Sequence, residues 1–281
     1  YAGYLGLTLP VAVSLALYGV QRLRQWNFRQ LFSPSILESP MGWGIVGTFS
    51  AGVIALGLLL SWSRGGWLGA LAGLTIVLFL RSKGTIAMGA LAFLVVLALA
   101  LLGSITPAFV PDAIASRLSD LPAYFGLTDI LSQPITDENF AVVERVAHWA
   151  AAIRMWQLSP WIGVGPGNYA TLYDSVKIAG WDEALGHAHN IYLNVLAETG
   201  ILGLLFYLVF WIVLTVWLIK QLLIAKRRND GWQQALILGI LGVSVHFSIH
   251  NIFDNLFVHG MYLHLALWIG AIASRSVGEK V

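Results

Sequence analysis

The sequence predicts an all-α, polytopic integral membrane protein, and three observations carry that prediction. Of 281 residues, 58% are hydrophobic and only 11% charged, with a mean hydropathy of +0.76, well outside the composition of soluble domains. The apolar residues come in runs of roughly 17 to 25, and about 20 residues rising 1.5 Å each cross a hydrocarbon core of about 30 Å. Between the runs, basic residues gather in alternate short loops, as the positive-inside bias requires. Cysteine is absent, which excludes a disulfide framework, a thiolate metal site and a cysteine nucleophile. The formal net charge of +2 is too small to suggest a nucleic-acid partner.

Seven runs read as spanning helices, near residues 3–20, 42–62, 66–80, 85–105, 199–222, 232–253 and 256–273, the third of them short. The chain opens at Tyr1 inside the first run, with no basic segment or small-residue cleavage site before it. No signal peptide is therefore expected, and further chain N-terminal to Tyr1 is. Arg22, Arg24 and Arg29 follow the first run, Arg81 and Lys83 the third, Lys226 to Arg228 the fifth, and Arg275 and Lys280 the last. All four groups fall on one side, expected to be cytoplasmic. The opposite side then carries Ser63–Gly66, the long segment 106–198 and the turn near Asn251–Leu256.

Segment 106–198 breaks the apolar rhythm with Pro107, Pro111, Pro122 and Pro134 and is read as an extracytoplasmic cap. This divides the chain into helices at 1–105, the cap at 106–198, and helices at 199–281. Within the cap, ENFAVVERVAHWAAAIRMWQL at 138–158 has the spacing of an amphipathic helix. Pro160 stops it, and GVGPGN at 163–168 makes a tight turn.

Ionisable groups beside hydrocarbon are costly, so the few present point to function. Arg64, in SRGG, is a basic residue on the side where the bias disfavours one. It reads either as a helix-end anchor in headgroups or as an anion clamp whose planar fork fits phosphate oxygens. Arg145, His148, Trp149 and Ala152 share a helix face. Arg154, nine residues after Arg145, lies half a turn away, so a straight helix cannot aim both at one site. Either arginine also suits an interfacial helix.

His187, Ala188, His189 and Asn190 stand where loop meets membrane helix, with Glu198, Gly200 and Gly203 beyond. A neutral imidazole there can take a proton from a hydroxyl near neutral pH. Glu198 faces elsewhere on the helix and suits a helix-start role. His246, His250 and Asp254, spaced by four, predict one stripe at the end of the sixth run. Hydrogen bonding or sugar contact is the expected use of that stripe, with metal ligation the weaker alternative. His259 and His264, in the last run, read as structural or interfacial.

Three pieces together resemble the O-antigen ligase and polymerase superfamily of bacterial polysaccharide assembly: Ser63-Arg64-Gly65; Arg145 and Trp149 followed by Pro160 and Gly163-Val164-Gly165-Pro166-Gly167; and His189-Asn190 with Gly200 and Gly203 downstream. The resemblance covers roughly residues 60–281. It implies a GT-C-like fold and a metal-independent, inverting glycosyl transfer that needs no cofactor. The donor it implies is a glycan on undecaprenyl pyrophosphate, and the acceptor a hydroxyl on a glycan or glycolipid, in the bacterial inner membrane with the site facing the periplasm. His189 would be the catalytic base, Arg64 and Arg145 would bind pyrophosphate, and Asn190, Arg154, His250 and Asp254 would support them. Such proteins usually carry about a dozen spans, so the chain either lacks its first ones or is a reduced homologue.

Two other readings stay open. One is a transporter for a small anion such as bicarbonate, since superfamily members linked to inorganic carbon accumulation are similar around Pro160 and GVGPGN. The other is a non-catalytic subunit of a larger membrane complex, for which Gly65, Gly66, Gly69 and Gly73 supply close helix packing. Membrane lipids are expected partners in every case.

Overall fold

A computed structural model of the chain describes residues 1–22, 36, 39–82, 85, 130–132, 134–137 and 139–278. Its helices are α1 (Ala2–Arg22), α2 (Pro40–Leu60), α3 (Arg64–Arg81), α4 (Phe140–Leu158), α5 (Tyr169–Val176), α6 (Ile191–Arg227), α7 (Gly231–His250) and α8 (Met261–Gly278). Among the described residues there is no strand, so the protein is all-α. Among the described residues, five helices (α1, α2, α3, α6 and α7) are long and apolar enough to cross a membrane, and a shorter apolar helix covers Met261–Ser274. This is a multi-pass membrane protein. The run at 85–105 lies, but for residue 85, outside the described residues, as do Pro107, Pro111, Pro122, Arg24, Arg29, Lys83 and Lys280.

The chain falls into two compact units, one made of Tyr1–Ala92, Ile212–His250 and Leu256–Val281, the other of Phe93–Trp211 and Asn251–Asn255. In the first, serine caps open two helices: Ser39 accepts from the Gly42 amide and Ser63 from the Gly66 amide, both at 3.1 Å. Pro40 sits at the first turn of α2, where its missing N–H costs nothing. The glycines do the close packing expected of them. A Cβ at Gly73 would stand 2.4 Å from the Gly242 carbonyl oxygen, and one at Gly69 2.8 Å from the His246 ring. The His246 ring also fills the space that a side chain at Gly6 would need, so α1, α3 and α7 meet around one histidine.

The basic residues mark one end of this unit. Arg81 closes α3 and donates to the Leu17 carbonyl of α1, and Lys226 donates to Leu80 O at 2.6 Å. At the other end, Tyr4 donates to the His259 backbone carbonyl and meets the His264 ring edge-on at 5.2 Å.

The second unit has a small core of Ala151, Ala152, Met155, Tyr169, Tyr173, Val176, Ala188 and Ala197, drawn from α4, α5, the loop before α6 and the first turns of α6. Its organising feature is a break in α6. Gly200 has φ 66° and ψ −168°, a region open essentially to glycine alone. The break frees backbone groups, and the segment after α4 takes them up. Ile201 N donates to Pro160 O (2.9 Å) and Leu202 N to Trp161 O (3.2 Å). In return, Val164 N donates to Ala197 O (3.0 Å) and Gly165 N to Glu198 O (2.9 Å). Gly163, at φ +68°, lies so close that a Cβ would stand 2.3 Å from the Glu198 carbonyl carbon. The glycines of GVGPGN thus form the expected tight turn, and that turn docks on the helix break.

Candidate active site

The second unit builds its polar cluster at the start of α6. Asn190 caps that helix: its side-chain oxygen accepts from Leu193 N at 3.1 Å. Asn194, one turn on, accepts from Ala188 N at 2.9 Å, and Ile191 N donates to Asn251 O at 3.0 Å. The loop before α6 is thereby held on both sides, and His189 sits in it at φ 50°. A non-glycine residue in the left-handed region costs of order 1–3 kcal/mol and persists where its surroundings enforce it.

His189 Nδ1 faces Asp254 Oδ1 at 3.4 Å. A carboxylate only accepts, so in the neutral ring Nδ1 carries the proton and Nε2 the lone pair. His189 Nε2 is buried with no hydrogen-bond partner among the described residues. Burial pushes the Asp254 carboxyl up, but the hydrogen bond from His189 and the Asn255 amide, with the charges of His189 and Arg145, outweigh it and hold the group well below the usual carboxylate range.

The α4 face expected from spacing is the one turned to this pair. Arg145 donates from Nε to Phe253 O at 3.0 Å and from Nη1 to Ala141 O at 2.7 Å. Trp149 donates to the His189 carbonyl at 3.4 Å, and the His148 ring lies edge-on to His189 with centroids 5.7 Å apart. Two of the five guanidinium donors of Arg145 are thus spent on fixing its position and the Asn251–Asn255 turn.

Two more histidines complete the cluster, with protons placed by their neighbours. His189 N donates to His187 Nδ1 at 3.2 Å, so the neutral His187 ring carries its proton on Nε2. Tyr169 donates its hydroxyl hydrogen to His148 O and receives Nδ1–H of His148, both at 3.0 Å. Burial, then the neighbouring His189 and His187, lowers the His148 pKa to about 4, and burial followed by His189 lowers that of His187. Sequence reasoning left Tyr169 and Tyr173 unnoticed. Their i, i+4 spacing in YATLY was the available signal.

Because His148 titrates near 4 when folded and near 6.5 otherwise, the unfolded chain binds a proton in that window that the folded chain does not. Stability therefore falls as pH drops from 6.5 towards 4. Asp254, depressed below its ordinary 3.8, adds a further loss at still lower pH. Thermal unfolding in detergent is expected to track this slope, and to follow a flatter one in His148→Phe.

Other expected site residues lie elsewhere. Arg154, on the far side of α4, donates from Nη1 to Val176 O (2.9 Å) and Lys177 O (3.0 Å). There it neutralises the carbonyl end of α5. Glu198 accepts from Tyr169 N at 3.1 Å and so caps the opposite end of α5. Arg154→Ala should lower the melting temperature by a few degrees and leave the protein's activity per folded molecule unchanged.

The expected stripe holds for His246 and His250 but does not run on to Asp254. Helix α7 ends at His250, and Asp254 follows in a turn, because the Asn251–Asn255 backbone is drawn off by Ile191 and Arg145. His250 Nδ1 instead stands 3.3 Å from His246 Nε2 in the first unit. Arg64 also belongs to the first unit, at the capped first turn of α3. Among the described residues, no group of three or more His, Asp or Glu side chains is disposed to hold a metal ion.

A family model described as O-antigen ligase matches residues 49–208, more than half of the chain. The chain belongs to the O-antigen ligase family. The match to O-antigen ligase takes in Arg64, Arg145, Arg154, His189 and Asn190, and stops before His250 and Asp254. The carboxylate facing His189 thus comes from outside the matched stretch. No curated protein matches the chain.

Proposed function

We propose that the protein is a membrane glycosyltransferase that moves a glycan from a polyprenyl pyrophosphate to an acceptor hydroxyl, with His189 as general base. The observation that carries this is the His189–Asp254 pair, with Nδ1 turned to a carboxylate and Nε2 left with its lone pair. In the reaction, Nε2 takes the acceptor's proton as the oxygen bonds to the anomeric carbon from the face opposite the pyrophosphate. The bond from that carbon to the pyrophosphate oxygen breaks, inverting the centre. Because Nε2 is buried, the acceptor reaches it only as the site opens around substrate. Asp254 keeps the ring in its basic tautomer and stabilises the imidazolium that forms.

The pyrophosphate leaves with growing negative charge, and preorganised cations in a water-poor site lower that barrier by several kcal/mol. Arg145, anchored by two carbonyls and near Asp254, suits this role, as does Arg64 by the charge and shape of its guanidinium. The Arg81 and Lys226 end of the helix bundle is assigned to the cytoplasm, in the inner membrane of a bacterium.

The test is transfer in proteoliposomes that contain the chain, a polyprenyl pyrophosphate glycan and a hydroxyl acceptor. Loss of transfer in Arg64→Ala and Arg145→Ala, with normal insertion, is expected; wild-type rates in both would overturn the assignment. Uptake of labelled bicarbonate that depends on Arg64 would instead establish the transporter reading.

A further inference from the structure

We infer that the end of α4 and the connection after it, residues 158–162, form a membrane-inserted wedge whose occupied surface is the acyl region of the bilayer beside α6. The first premise is depth. Between Glu198 and Lys220 the chain carries no charged residue, and Ile201–Ile219 is apolar almost throughout. At 1.5 Å per residue those nineteen residues rise about 28 Å, which matches one hydrocarbon core. The bilayer edge on this helix therefore lies at the Gly200 break.

The second premise is attachment. Pro160 and Trp161 accept the amides of Ile201 and Leu202, the first two residues of that apolar stretch. The connection cannot sit at another depth without losing both bonds, and unpaired backbone beside hydrocarbon is strongly disfavoured. Trp156 reinforces the turn by donating to Pro160 O at 3.1 Å.

The third premise is what the connection displays. Leu158, Trp161 and Ile162 are 63%, 66% and 69% exposed. The neighbouring α6 residues Leu202, Leu205 and Phe206 are exposed as well. These apolar surfaces are continuous with the outward face of a membrane-crossing helix, and that continuity identifies lipid as what covers them. Tryptophan at a membrane–water boundary places its ring at headgroup level with its body in the apolar layer. The wedge does not rest on the glycosyltransferase reading, because it needs only that α6 crosses the membrane.

The chain's lack of cysteine makes the test direct. Trp161→Cys and Ile162→Cys, each labelled with an environment-sensitive nitrobenzoxadiazole fluorophore, are reconstituted as the whole chain in phosphatidylcholine vesicles. Thr171→Cys and Ser175→Cys, on the exposed face of α5, are the reference. A doxyl-labelled lipid with the quencher near the glycerol end should reduce emission at 161 and 162 several-fold more than at 171 and 175. Aqueous iodide should do the reverse. Labels at 161 and 162 open to iodide and insensitive to doxyl lipid would overturn the inference, as would labels shielded from both quenchers, the pattern of a protein contact.

Discussion

Gly200→Ala is expected to remove the folded second unit, the largest structural effect of any single substitution in this chain. The position has φ 66° and ψ −168°, which an alanine adopts only with strain of order 1–3 kcal/mol. Its Cβ would also stand 2.3 Å from the Trp161 carbonyl carbon, backbone that cannot rotate aside. If alanine restores a regular helix instead, Ile201 and Leu202 turn their amides back inside α6, so Trp161 loses its donor and Pro160 keeps only Trp156. Either route releases the 160–165 segment, and with it the cap of Glu198 on α5. Size-exclusion profiles in mild detergent and protease resistance of residues 139–211 read this out. A monodisperse, protease-resistant Gly200→Ala protein would show that the break is dispensable.

His189→Ala should lower glycan transfer by about 10²- to 10⁴-fold, the usual contribution of a positioned general base, while the protein inserts normally. Alanine keeps a Cβ at φ 50°, so the backbone strain remains, and stability should change little or fall modestly. That combination, activity lost far beyond any change in stability, separates a functional residue from one that only packs. Asp254→Asn keeps a hydrogen-bonding side chain but offers His189 a group able to donate, which permits the wrong tautomer. Its transfer rate is expected to fall with little change in donor KM. Equal losses in KM and rate would assign Asp254 to substrate binding.

Much of the fold was legible because hydrocarbon imposes a simple rule on sequence. Helices α1, α2, α6 and α7 each follow an apolar run of spanning length and α3 a shorter one, and Pro160 marks a stop that the sequence makes plain. The boundaries of α6 and α7 were not legible. Apolarity continues past Gly200 and past His250, and only long-range backbone partners, Pro160 and Trp161 in one case and Ile191 in the other, decide where regular helix gives way. The same physics explains why the stripe stops short of Asp254: His246, His250 and Asp254 have helical spacing, but a tertiary demand for the Asn251 and Phe253 carbonyls outweighs it.

In the candidate site, the half-turn between Arg145 and Arg154 was enough to separate an inward arginine from one that caps α5. Asn190 was less transparent. Its place beside His189 suggests chemistry, yet its side chain closes the first turn of α6, a role written in its position before an apolar helix. The pairing of His189 with Asp254 could not be read from spacing, since 65 residues separate them and no local pattern joins them.

Chemical rescue tests the assignment of His189 most directly. In proteoliposomes of His189→Ala supplied with the polyprenyl-linked donor and acceptor, free imidazole should restore transfer in proportion to its neutral form, so that rescue rises with pH through the range where imidazole loses its proton. Transfer by His189→Ala at the wild-type rate without imidazole would contradict the account.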